Sequence, residues 1–244
     1  MIQPARATIQ WSFPGCPAPP DWTLDWDIII ARFAWLRALA DVPQDSAYHA
    51  EGDVLTHTRM VLEALAEMPE WRGLPEAERT VLFAAALLHD IAKLECTLVE
   101  ADGRVTSRGH ARRGEQRARV LLWRGEGLDQ PALLAWREQV AKLVRHHGLP
   151  LWFLDKASPE RAVIAASQVV RLDHAALLAE ADVRGRFSAD KPDLLARIAL
   201  FREYCRDARC YNLPRAFASE HSRFLYFQGL RDDPKQMAYD DTAF

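Results

Sequence analysis

VLFAAALLHDIAK, from Val81 through Lys93, is apolar on nearly every side until it reaches His89. A helix that is hydrophobic all round belongs in a protein interior. Pro75 suits a first helical position, and the pattern predicts a buried central helix over Ala77–Lys93. His89 and Asp90 then fall in the core. A buried Asp beside a buried His is costly unless both are paired or bind a metal. A His-Asp dipeptide alone carries little information; its setting does. The plain alternative is a hydrogen-bonded pair at a helix end.

Working outward, helical patterning dominates. Apolar residues recur at helical spacing from Leu24 to Leu39, up to the Asp41-Val42-Pro43 break. Asp53 can cap a helix over Val54–Met68. Further helices are expected at 108–124, 130–147, 159–171, 173–186 and 190–208, with Ser158 a cap before Pro159, and a last one from Ser219 to Phe227. Between Thr97 and Thr106, the Asp102-Gly103 pair predicts a small β-hairpin. The expected fold class is all-α with one hairpin. The expected organisation is an irregular Pro- and Gly-rich segment at 1–23, one domain over 24–210, and a C-terminal extension over 211–244.

A net charge of −3 gives no global basic field, and 49% hydrophobic residues supply a sizeable core. No apolar run is long enough for a transmembrane helix, and the N-terminus lacks a signal-peptide pattern. The four cysteines, Cys16, Cys96, Cys205 and Cys210, form no CxxC pair. They read as reduced thiols of a cytoplasmic protein.

Two more residues join the His-Asp pair. His57 lies on the preceding helix, and Asp182 falls near the buried side of a later one. Alone, each is more often a hydrogen-bonded or surface residue. As a set, His57, His89, Asp90 and Asp182 offer neutral nitrogens and anionic oxygens. Such a mixture suits Mn, Fe, Co, Ni or Zn better than Ca or Mg. Adjacent helical residues point about 100° apart, so His89 and Asp90 share an ion only if distant helices close around it.

The order His57, His89-Asp90, Asp182 resembles the HD superfamily of metal-dependent phosphohydrolases. The phrases ALLHDIAK (86–93) and EADVRGR (180–186) look like those in the HD domain of bacterial tRNA nucleotidyltransferases, which act on 2′,3′-cyclic phosphates. From about Asp53 onward the chain also resembles the HD phosphoesterase module of bifunctional RNA end-healing enzymes, including SRGHARRG (107–114), VRHHGLP (144–150) and ALFREYC (199–205). In those enzymes a P-loop polynucleotide kinase follows the module. No GxxxxGK[ST] occurs here, so the expectation is either a module of a longer protein or a standalone relative.

The resemblance implies an HD helical bundle, a divalent transition metal, and hydrolysis of RNA 2′,3′-cyclic phosphate ends or 2′-phosphates. It implies metal ligation by His57, His89, Asp90 and Asp182. It assigns Lys93 to phosphoryl charge, Arg186 to a bidentate phosphate clamp, and His110 and His147 to phosphate binding, a second metal or proton donation. His146 is the alternative to His147. Independently, Arg104, Arg108, Arg112, Arg113, Arg117, Arg119 and Arg124 crowd one segment, and His110, Arg113 and Arg117 share a helix face. That face is a candidate RNA track, or a solvated face on which Glu115 pairs with Arg119. His49, His174 and His221 read as structural or surface residues. Competing readings are a phosphohydrolase of small nucleotides, a binding module without turnover, and an iron oxygenase.

Overall fold

Phe33, Leu36 and Leu39 are all buried, one every three residues. That spacing aligns side chains on a 3-10 helix rather than an α-helix. In the computed structural model, which describes residues 11–231, α1 (Trp26–Arg32) accordingly ends at Phe33 and a 3-10 turn runs over Ala34–Leu39. The single helix expected from Leu24 to Leu39 is therefore two pieces. Phe33 leaves helical geometry to stack on Phe13, their ring centroids 5.2 Å apart. Trp11 stacks likewise on Trp136, so the irregular N-terminal segment is threaded into the core. Residues 1–10 of that segment and 232–244 of the C-terminal extension lie outside the described residues.

Helix α2 (Val54–Glu67) starts at Asp53, whose carboxylate accepts from the Thr56 amide at 2.8 Å. The short α3 (Pro69–Arg72) leads to α4 (Glu76–Leu88), the central helix, buried without interruption from Thr80 to Leu88. It packs on α2 and on the later α7 (Leu134–His146) and α10 (Leu172–Arg184). Between it and α7 come α5 (Lys93–Cys96), strands β1 (Leu98–Val99) and β2 (Val105–Thr106), and α6 (His110–Arg124). The strands pair antiparallel, Leu98 with Thr106, as the Asp102-Gly103 turn predicts.

Helix α7 begins at Leu134, after a loop opened by Gly125 at φ 68°, rather than near Pro131. After it come α8 (Leu149–Trp152), a 3-10 turn at Phe153–Asp155, and α9 (Pro159–Ser167). Ser158 precedes α9, but its hydroxyl makes no capping bond. Helices α11 (Lys191–Asp207) and α12 (Glu220–Arg231) complete the described chain. The fold is all-α with one hairpin. Among the described residues no single helix is long and apolar enough to cross a membrane.

Candidate metal centre

The central helix stops one residue short of the His-Asp pair. His89 still has helical angles, but the backbone tightens, with the Ile91 amide on Leu88 O and the Lys93 amide on Asp90 O. The expected helix through Lys93 is thus interrupted by a turn, and that turn presents the pair at the end of α4. Helix α2 brings His57 and α10 brings Asp182, with His57 Nε2 3.1 Å from Asp182 Oδ1 and 3.9 Å from Asp90 Oδ2. His89 Nε2 lies 3.1 Å from Asp90 Oδ2. His57, His89, Asp90 and Asp182 are all at most 2% exposed.

His110, the first residue of α6, and His147, just past α7, close the opposite side. His110 Nε2 is 3.4 Å from Asp90 Oδ1 and 3.3 Å from His147 Nε2. His146 does not line the cavity; His147 does. Asp90 therefore belongs to two compact ligand groups, one with His57 and His89, the other with His110 and His147.

Backbone carbonyls orient three of these rings. His89 Nδ1 meets Ala86 O at 2.7 Å, His110 Nδ1 meets Ser107 O at 2.8 Å, and His147 Nδ1 meets Val144 O at 2.7 Å. Two of those carbonyls are the unsatisfied ends of α4 and α7. A carbonyl only accepts, so each Nδ1 carries the proton. In the neutral rings Nε2 is then a bare lone pair, as metal ligation requires. The consequence is sharpest for His110 and His147, whose Nε2 atoms face each other as two acceptors unless a cation lies between them. His89 Nε2 and Asp90 Oδ1 are likewise buried without a hydrogen-bond partner. Such groups are expensive in a metal-free interior, and the donor set fits a divalent transition metal.

Electrostatics agree. Burial alone would raise the Asp90 carboxyl, but the charges of His89 and Lys93 hold it well below the usual carboxylate range. Burial is outweighed at Asp182 too, by the Arg186 charge and the His57 hydrogen bond. Burial pushes His147 down to about 3, and lowers His110 as well. His89 moves the other way, because the Asp90 charge overcomes its burial.

The profile of the HD domain family matches residues 54–183, over half of the chain and spanning all six of these side chains. The protein belongs to the HD domain family. HD domains bind divalent metals, and this buried His/Asp cluster is compatible with one. No curated protein and no solved structure matches the chain.

Other residues of this HD domain are placed less simply. Lys93 Nζ lies 2.8 Å from Asp90 Oδ2 and donates to Gln44 Oε1 at 2.7 Å. Arg186 is not a solvated arginine: its Nε and Nη2 both engage Asp182, so the fork expected to clamp phosphate is already occupied. Arg113 and Arg117 do not line the cavity, and Arg117 pairs with Glu95 at 2.9 Å. Arg119 pairs with Glu115, as the solvated-face reading expects, and also with Glu138.

His49, read from the sequence as structural or surface, lines the cavity. Its Nδ1 meets Glu51 Oε1 at 2.8 Å, and the same oxygen lies 2.8 Å from His57 Nδ1. The second approach is close but off the ring's N–H direction, and His57 Nδ1 makes no hydrogen bond. Glu51 thus sets a carboxylate behind His57, close to its Nδ1 but without the hydrogen bond by which carboxylates orient metal-binding histidines. The sequence signal was faint: a His-x-Glu pair just before a capping Asp. Gln44 offered none. His174 is structural, on Glu78 at 3.0 Å, and His221 is exposed.

Proposed function

We propose that this HD domain is a metal-dependent phosphoesterase that opens 2′,3′-cyclic phosphates at RNA ends. The observation that carries the reading is the doubled ligand set around Asp90, with a lysine and an arginine in the same cavity wall. Neutral and anionic ligands for a metal, with cationic side chains beside them, suit a phosphate ester, whose charge needs neutralising while water attacks.

In this reading His57, His89, Asp90 and Asp182 hold one metal, and Asp90, His110 and His147 a second. When bound, the metal lowers the pKa of water and so supplies a nucleophile near neutral pH. Lys93, held by Asp90 and Gln44, donates to a phosphoryl oxygen. Arg186 fixes Asp182 through its Nε and Nη2 and reaches substrate only through its remaining amine. His110 and His147 lack a proton at Nε2 when neutral, which favours ligation over proton donation. The RNA assignment rests on the resemblance to end-healing modules and on the arginines of α6. It also carries the proposal of a kinase partner in a longer chain.

The small cavity, about 160 Å³, and the pairing of Arg117 and Arg119 with carboxylates favour a second reading, hydrolysis of small nucleotides. The test uses protein loaded with Mn, Co, Ni or Zn and an RNA oligonucleotide ending in a 2′,3′-cyclic phosphate. Wild type is expected to open the ring and Asp90→Ala to fail. Turnover of mononucleotides alone selects the second reading.

A further inference from the structure

Tryptophan is usually well covered in a folded protein. Trp152, the last residue of α8, is 39% exposed, although Leu149, Pro150 and Leu151 before it are buried. It lines the same cavity as Asp90, Lys93, His110 and His147. It is also braced: the Arg197 guanidinium sits over the ring, 5.4 Å from its centroid, and the same side chain donates to Leu151 O at 3.1 Å and to Asp155 at 3.4 Å. The turn that carries it starts directly after His147 and Gly148, so ring and ligand are set by one piece of backbone. A rigid, partly open indole beside phosphate-directed groups matches the planar face of a nucleobase, which stacks on aromatic side chains whatever its sequence.

We propose that Trp152 is the platform on which the base of the reacting nucleotide stacks, making it the residue that selects nucleotides over other phosphate esters. The proposal rests on the phosphoesterase reading of the site and adds the substrate class. It requires no contact from the arginines of α6. The base and the cyclic phosphate are then recognised by different groups, the base by Trp152 and the phosphate by the charged wall.

Two substrates with the same reacting group separate these contributions: adenosine 2′,3′-cyclic phosphate and glycerol 1,2-cyclic phosphate, which has no base. The quantity read is the ratio of kcat/KM for the first over the second in metal-loaded protein. Trp152→Leu keeps apolar bulk and removes the π face, and the ratio is expected to fall about tenfold. Trp152→Phe keeps a stacking face and is expected to stay near the wild-type ratio. A ratio over the glycerol ester that Trp152→Leu leaves unchanged for the mononucleotide and for an oligonucleotide alike, or an equal fall in both variants, overturns the proposal. An oligoribonucleotide ending in adenosine 2′,3′-cyclic phosphate is the third substrate, and a loss confined to either adenosine substrate supports the platform and names its source. Should wild type turn over none of the three, the phosphoesterase reading fails, and calorimetric titration with adenosine 3′-monophosphate against glycerol 2-phosphate decides Trp152 by the same ratio.

Discussion

Asp90 is nearly sealed from water, yet it stays charged because Lys93 and the surrounding imidazoles favour the anion. A metal replaces that support with a stronger one. His89 is the imidazole whose affinity for a proton Asp90 raises, and that proton must leave before Nε2 ligates. Metal binding is therefore expected to release protons near pH 6.5, read as a binding enthalpy that varies with the ionisation heat of the buffer. A buffer-independent enthalpy contradicts this. His147 gives a second prediction. Its folded pKa is about 3 against 6.5 when free, so between those values the unfolded chain binds more protons and stability falls as pH drops. At pH 5 the loss from this one group is about 2 kcal/mol relative to neutral pH. His147→Asn is expected to recover that much in metal-free protein, measured by urea denaturation at pH 7 and pH 5; equal pH dependence in both proteins contradicts it. The meeting of His57, His89, Asp90 and Asp182 was legible because His89-Asp90 and Asp182 sat in recognisable phrases on apolar helices, and His57 on the helix before them. His49, Glu51 and Gln44 were not, because a loop's path, and no periodicity, brings them to the cavity.

Helices α2 and α10 must approach closely to join His57 with Asp182. Gly185, directly after α10, makes this possible: a Cβ there would lie 2.7 Å from Val61 N and 2.9 Å from Val61 Cα, both backbone atoms of α2. Gly185→Ala is expected to push the elements apart, costing about 1–3 kcal/mol, and to weaken metal binding with it. Denaturation with a parallel metal titration checks both, and a variant as stable and as avid as wild type refutes the crossing as the source of the site. Elements were readable from the sequence where apolar spacing was long and regular, as in α2, α4 and α11. They were misread where a short-range competitor won: the every-third spacing of Phe33, Leu36 and Leu39, or the Gly125 turn that delays α7. The turn at His89 belongs here too, since the ring takes a carbonyl at the end of α4 and helix propensity carries no sign of that.

Across the whole molecule, helices far apart in sequence meet at one buried cluster of like and unlike charges. Metal-free, that cluster carries a cost where bare ring nitrogens face one another and buried polar atoms stay unpartnered. Metal binding and global stability are then linked. Manganese or cobalt at a hundred times its dissociation constant is expected to add about 2.7 kcal/mol, seen as a raised Tm that Asp90→Ala does not show. An all-α fold and an HD domain could be read in the sequence because a continuously apolar helix and its distant partners are written there. The carbonyl-fixed ring orientations were not, since they depend on where helices end in space. The most direct test is metal content, measured by elemental analysis and calorimetric titration of wild type and Asp90→Asn. Wild type is predicted to hold divalent metal through both ligand groups, and Asp90→Asn to lose affinity at both. Unchanged metal content and affinity in Asp90→Asn would contradict the account at its centre.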